Sequence, residues 1–154
     1  MPSLSLPRVH ITQLLKESLE ADGYDADDYC TYFAQWKASA EAGEYADWFF
    51  GKDGFYDRPK RNNQHVLRHV HLPPAASSEK LAIWDRDFKN GARKVSDTAL
   101  IYVQDAAHGY LLIYIVREPN GHLLVNMKTK ESKKLMENLC DIAQAFIFNG
   151  DVLV

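Results

Sequence analysis

Cysteine is nearly absent from this 154-residue chain, and the two it has, Cys30 and Cys140, stand far apart. That spacing offers neither a paired metal knuckle nor a disulfide framework, and it predicts reduced thiols. Long apolar runs are missing as well. No stretch approaches the roughly 20 apolar residues of a membrane span. The opening MPSLSLPRVHITQ has neither the basic head nor the apolar centre of a secretory signal. Internal repeats and low-complexity segments are also lacking. These absences predict a soluble, cytoplasmic protein with no membrane partner, organised as one domain over residues 1–154 around one substantial core.

What is present is an uneven distribution of charge. The net charge is −3, yet residues 1–57 hold four basic side chains against eleven acidic ones, while residues 58–134 hold fourteen basic against seven acidic. Five of the six histidines (His65, His69, His71, His108 and His122) fall in the basic block. Such asymmetry suggests a surface that meets a polyanion; the plainer reading is charge scattered over solvated faces.

Along the chain, RVHITQLL (8–15) fits either a first strand or the start of a helix. DADDYCTYFAQWKASAEAG (25–43) predicts a helix, with aspartates at its N-terminus, Tyr29, Phe33 and Trp36 at helical spacing, and Gly43 at its end. EYADWFF (44–50) suggests a second, short helix, followed by a loop punctuated by Gly51, Gly54 and Pro59. HVLRHVHL (65–72), TALIYVQD (98–105) and GYLLIYIV (109–116) read as strands, the last two as a hairpin. The stretch between the first two reads as an excursion. Leu135, Leu139, Ile142 and Phe146 make one stripe of a closing helix.

Strict alternation divides the strands into two faces. One gathers Val66, Val70, Leu72, Ala99, Ile101, Val103, Leu111, Ile113 and Ile115, a dry face expected under the N-terminal helices. The other gathers His65, His69, His71, Thr98, Tyr102, Gln104, Tyr110 and Tyr114, and predicts an open working surface on an α+β fold. The C-terminal helix is expected to cover part of it.

His69 and His71 lie two positions apart, which sets their imidazoles about 7 Å from one another on a strand face. A metal reading needs a third ligand that the sequence does not supply; ordinary satisfied histidines or a phosphate contact remain open. ARKVSD (92–97) brings Arg93 and Lys94 to the mouth of a strand, and guanidinium groups grip phosphate bidentately. Asp97 either orients Arg93 or caps a turn. After the hairpin, Arg117, Pro119, Gly121 and His122 form a charged, bent loop whose imidazole is suited to moving protons near neutral pH.

Taken in series, FFGKDGFYDRP (49–59), LRHVHL (67–72), RKVSDTALIY (93–102), YLLIYIVREPNGH (110–122) and MENLCDIAQAF (136–146) resemble the YafO family of type II toxins. Residues before Gly43 fit more loosely, and residues 1–24 look like a divergent N-terminal extension or first strand. The resemblance implies a RelE-like fold: a small twisted antiparallel sheet with two N-terminal helices on one face and a C-terminal helix. It implies ribosome-dependent cleavage of mRNA, with a cognate antitoxin, the ribosome and mRNA as partners. Cleavage would proceed by 2′-hydroxyl attack with no cofactor and no metal. In that scheme Arg93 stabilises the phosphorane with Lys94 or Arg117, His122 is general acid or base, and His71 or His69 is its opposite number. Arg68 joins the substrate-binding set, and Tyr102 or Tyr114 stacks a base. Two rivals share the fold: a toxin acting by protein binding, such as topoisomerase inhibition, and a catalytically silent interaction module.

Overall fold

The computed structural model describes residues 5–39, 43–75, 77–117 and 121–154. Its centre is a mixed five-stranded sheet. β1 (Val9–Ile11), β2 (Asp53–Phe55), β5 (Arg68–His71), β6 (Ala99–Asp105) and β7 (Gly109–Val116) lie in the order β1-β7-β6-β5-β2. β3 (Lys60–Arg61) and β4 (Gln64–His65) form a separate two-stranded ribbon. The predicted hairpin is present as β6 and β7. RVHITQLL resolves into both of its readings, a strand over Val9–Ile11 and then helix α1 over Gln13–Ala21.

The expected all-antiparallel sheet is corrected at one edge. β1 runs parallel to β7, with Val9 opposite Tyr110 and Ile11 opposite Leu112. Thr12 makes the turn possible: its hydroxyl donates to the Ile113 carbonyl at 2.9 Å and accepts the Leu15 N–H at 3.1 Å. One side chain therefore ends the strand, caps α1 and ties both to β7.

Helix α2 (Ala26–Ala38) begins at Asp25, whose carboxylate accepts the Asp28 N–H, and carries Asp27 and Asp28 in its first turn. The short α3 spans Gly43–Ala46, and α4 (Ser78–Lys89) forms within the excursion between the first two expected strands, where no helix was expected. Only Trp84 of α4 is fully buried, so the helix lacks the broad apolar stripe by which periodicity is recognised. α5 spans Gly121–Val125, and α6 spans Lys130–Asn149. A capping box between Thr129 and Ser132 starts α6, and Gly150 ends it at φ 72°.

Both faces of the sheet are covered, which overturns the open-face expectation. Leu15 and Leu19 of α1, with Tyr29, Phe33 and Trp36 of α2, pack on Val70, Leu100, Tyr102 and Leu112. Met136, Leu139, Cys140, Ala143 and Phe146 of α6 pack on the opposite side, against Ile101, Val103, Leu111 and Ile113. Val70, Leu72 and Ile115 lie under the N-terminal helices as expected, whereas Val66, Ile101, Val103, Leu111 and Ile113, expected beside them, meet the C-terminal helix. The register explains the error. Ile101 pairs with Tyr114 but Tyr102 pairs with Leu112, leaving Ile113 as an extra residue in β7. A bulge of this kind changes the phase of alternation along its strand. Tyr114 and Val116 therefore lie with the α6 layer, whereas Ile115 joins the α1–α2 layer.

Candidate active-site cleft

His69 pairs with Ile101 and His71 with Ala99, so both imidazoles leave β5 on the α6 side of the sheet, towards its upper end. There α5 closes over them. Tyr56, His69, His71, Ser96, Asp97, Gly121 and His122 surround a cleft of about 40 Å³. A broader groove of about 460 Å³ adjoins it, lined by Lys52, His71, Pro74, Lys80, Ser96, Asp97 and His122. Four of the residues singled out in the sequence (His69, His71, Asp97 and His122) meet here from three separate segments.

Each imidazole has a distinct setting. His71 is 8% exposed, and its Nδ1 lies 2.7 Å from the Ser96 carbonyl oxygen and 3.0 Å from the Ser96 nitrogen. Nδ1 donates to the Ser96 carbonyl in one tautomer and accepts the Ser96 N–H in the other; the first, which matches the shorter contact, leaves Nε2 as an acceptor. Burial lowers the His71 pKa, opposed by the Ser96 bond and assisted by the charge of Lys52, so the ring is neutral at pH 7. His69 is stacked on Tyr56 with ring centroids 3.9 Å apart, and its Nδ1 is buried with no hydrogen-bond partner among the described residues. Burial, reinforced by His71, lowers its pKa to about 4.

His122 is the exposed member. Its side chain is 72% exposed, with Nδ1 3.6 Å from Asp97 Oδ1. Its backbone N–H donates to the same oxygen at 2.7 Å. Gly121 makes this approach possible, because a Cβ there would stand 2.0 Å from the Asp97 carbonyl oxygen. Asp97 thus orients His122 and α5 rather than Arg93. The bend attributed to Pro119 lies outside the described residues.

The remaining candidates are elsewhere. Arg93 is exposed, and its guanidinium is held by both carboxylate oxygens of Glu44 at 3.1 Å. It does not line the cleft, although its charge reaches His71. Lys94 is fully buried, its ammonium donating to the Glu44 carbonyl at 2.6 Å beside the Trp84 and Phe88 rings, so it is not available to a substrate. Arg117 reaches back to Ser18 of α1 and to Asp22, which caps its C-terminus. Tyr102 is buried under α2 and cannot stack a base; its hydroxyl donates to Asp53 and accepts from Lys37 and Arg68. Arg68 covers the Phe55 ring at 4.3 Å. Tyr114 packs against the α6 layer and lines a groove bounded by α1, β7, α5 and α6.

Tyr56, Lys52, Ser96 and Lys80 are cleft or groove residues that the sequence reading missed. Lys52 sits between two glycines in GKDG, and it reaches β5 through backbone pairing: the His71 N–H donates to the Lys52 carbonyl at 2.8 Å. No local pattern announces such a partner. Among the described residues, no group of three or more His, Cys, Asp or Glu side chains is arranged to hold a metal ion. No helix among them is long and apolar enough to cross a membrane.

The cleft, with a neutral imidazole facing an exposed one beside two lysines, is an arrangement suited to proton transfer near an anion. Comparison with known proteins gives the biological setting. Residues 34–148 match the family model described as Toxin YafO, type II toxin-antitoxin system. No curated protein and no solved structure matches the chain at a significant level. The match spans α2 to α6 and includes every residue of the cleft, and on it the chain belongs to the YafO family of type II toxin–antitoxin toxins.

Proposed function

We propose that this toxin is a ribosome-dependent endoribonuclease of RelE-like fold that cuts translated mRNA and so arrests translation. The observation that carries the proposal is the meeting of His71 and His122 in one cleft. His71 Nε2 takes the proton of a ribose 2′-hydroxyl as its oxygen attacks the adjacent phosphorus. The bond from phosphorus to the 5′-oxygen then breaks, and His122 returns a proton to that oxygen. The products are a 2′,3′-cyclic phosphate and a free 5′-hydroxyl. Side chains supply the acid, the base and the charge, so the scheme uses no metal.

Lys52 and Lys80 in the groove wall supply positive charge to the phosphorane, the form of catalysis that gains most from being held in place beforehand. Arg93 has the lesser role of adding to that field from its Glu44 clasp. The net charge of −3 gives little general affinity for RNA, because such affinity comes chiefly from neutralising phosphates. The ribosome therefore presents the strand, and a cognate antitoxin restrains the toxin.

The test is induction without antitoxin, followed by mapping of mRNA 5′ ends and cleavage assays with and without ribosomes. New 5′-hydroxyl ends inside coding regions, dependent on ribosomes, are the expected result. Growth arrest with intact transcripts would overturn the nuclease reading and favour a toxin that acts by binding protein.

A further inference from the structure

A second concavity adjoins the histidine groove, and nothing in the catalytic scheme uses it. Its volume is about 270 Å³, and it opens beyond Pro74, a residue that lines both spaces. Its walls are Tyr24, Tyr29, Trp48, Phe49 and Pro73, and the ion-paired Arg117 and Asp22 also line it. Tyr24 and Trp48 are 49% and 37% exposed, so two aromatic rings stand open at the rim. Tyr29 packs edge-on against both Tyr24 and Phe49. It is 6% exposed, and its hydroxyl is buried without a hydrogen-bond partner among the described residues. A phenol so placed retains a polar group that packing alone does not satisfy, in a site otherwise rich in flat apolar walls.

We propose that this pocket receives one nucleobase of the RNA strand whose backbone lies in the histidine groove. The inference rests on the nuclease reading above and adds a subsite to it. Three observations converge on that occupant. The pocket and the groove share Pro74, and Ser96 and Asp97 of the groove run directly into Thr98 of the pocket. Open aromatic rings are the surface on which unstacked bases are held. A base edge carries hydrogen-bonding groups that satisfy the Tyr29 hydroxyl once the ring shifts to expose its buried oxygen, which an aliphatic side chain cannot do. The volume is ample for one heterocycle. The protein would then fix the scissile phosphate by holding a neighbouring base, with selectivity set at the Tyr29 end of the pocket.

Titration of the full chain with each of the four nucleoside 5′-monophosphates, followed by NMR at the Trp48 indole N–H, tests this directly. Saturable, weak shifts are expected with the nucleotides and none with ribose 5-phosphate. Trp48→Ala and Tyr24→Ala should weaken binding about tenfold. Tyr29→Phe should weaken it severalfold while leaving thermal stability unchanged or higher, because it deletes an unpaired buried hydroxyl. On ribosomes, an mRNA with an abasic residue at one fixed position beside the cut should be cleaved about tenfold more slowly by the natural chain, and Trp48→Ala should erase that difference.

Nucleotides that leave Trp48 unmoved would overturn the subsite. So would a response to N-acetyltryptophanamide in place of nucleotides, which would assign the pocket to a side chain of a protein partner. Cleavage of equal rate by Trp48→Ala overturns the subsite while leaving the nuclease reading intact. Absence of cleavage by the natural chain rejects the nuclease, and the nucleotide titration still decides the pocket.

Discussion

Two polar clusters flank the same strand, β5, and they differ in one respect that matters. On the α2 side, Tyr102 donates to Asp53 and accepts from Lys37 at 2.7 Å and from Arg68 at 3.2 Å. Lys37 also reaches Asp53 at 2.7 Å, and both side chains are little exposed. Every member has its partner. On the α6 side, among the described residues, His69 keeps an unpartnered buried Nδ1, His71 keeps an open Nε2, and the His122 ring stands 3.6 Å from Asp97. Closed networks of polar groups fix a structure, and their members have nothing left to offer a substrate. Incomplete ones retain capacity. Residue type alone does not separate the two, since arginine, lysine and tyrosine suit RNA as well as any histidine.

The sharpest way to break this contrast is to remove the open imidazoles. His71→Gln and His122→Gln should each slow ribosome-dependent cleavage by about 100-fold or more. For His122→Gln, thermal unfolding should barely change, since its side chain is exposed. A His71→Gln protein that folds and cuts normally would move the base to another group.

The closed cluster should respond in the opposite currency. Asp53→Ala leaves Lys37, Arg68 and Tyr102 without their common acceptor and should cost about 3 kcal/mol of stability. That corresponds to a fall of roughly 10 °C in melting temperature for a chain of this size. Calorimetry on Asp53→Ala, compared with Lys37→Met/Asp53→Leu, separates loss of a partner from loss of the pair.

Smaller effects sharpen the boundary. Arg93→Ala should reduce cleavage by no more than about tenfold, because its guanidinium acts at a distance from its place on Glu44; single-turnover rates measure this. A fall equal to that of His71→Gln would place Arg93 on the phosphate.

The last contrast is with pH. His69 and His71 have pKa values below the ordinary histidine value, so the unfolded chain binds protons that these rings refuse when folded. Stability from this source is complete above about pH 6.5 and drains as pH falls towards 4. Melting temperature should therefore decline between pH 7 and pH 5, and His69→Gln should flatten part of the decline.

Local periodicity made the β6–β7 hairpin, α2 and α6 legible in the sequence, because each carries its own repeat and its own end signals. The assignment of faces was not legible. The extra residue at Ile113 shifts the alternation, and a sheet covered on both sides offers apolar residues on either phase. At the candidate cleft, His69, His71, Asp97 and His122 were singled out in the sequence through their chemistry and the family resemblance, and they line one space. Arg93 and Lys94 show the limit. They are consecutive and similar in kind, yet one is exposed and the other is buried against Trp84, and the residue that engages both is Glu44, 49 and 50 positions away.

The parallel pairing of β1 with β7 has a consequence for the birth of the molecule. Val9 waits for Tyr110, a partner synthesised 101 positions later, and α5 follows only after β7 is complete. A nascent chain emerging N-terminus first therefore carries an unfinished sheet edge until β7 has emerged, and long-range pairings of this sort form slowly. The cleft likewise waits for α5, since Gly121, His122 and Val125 follow every other residue that lines it.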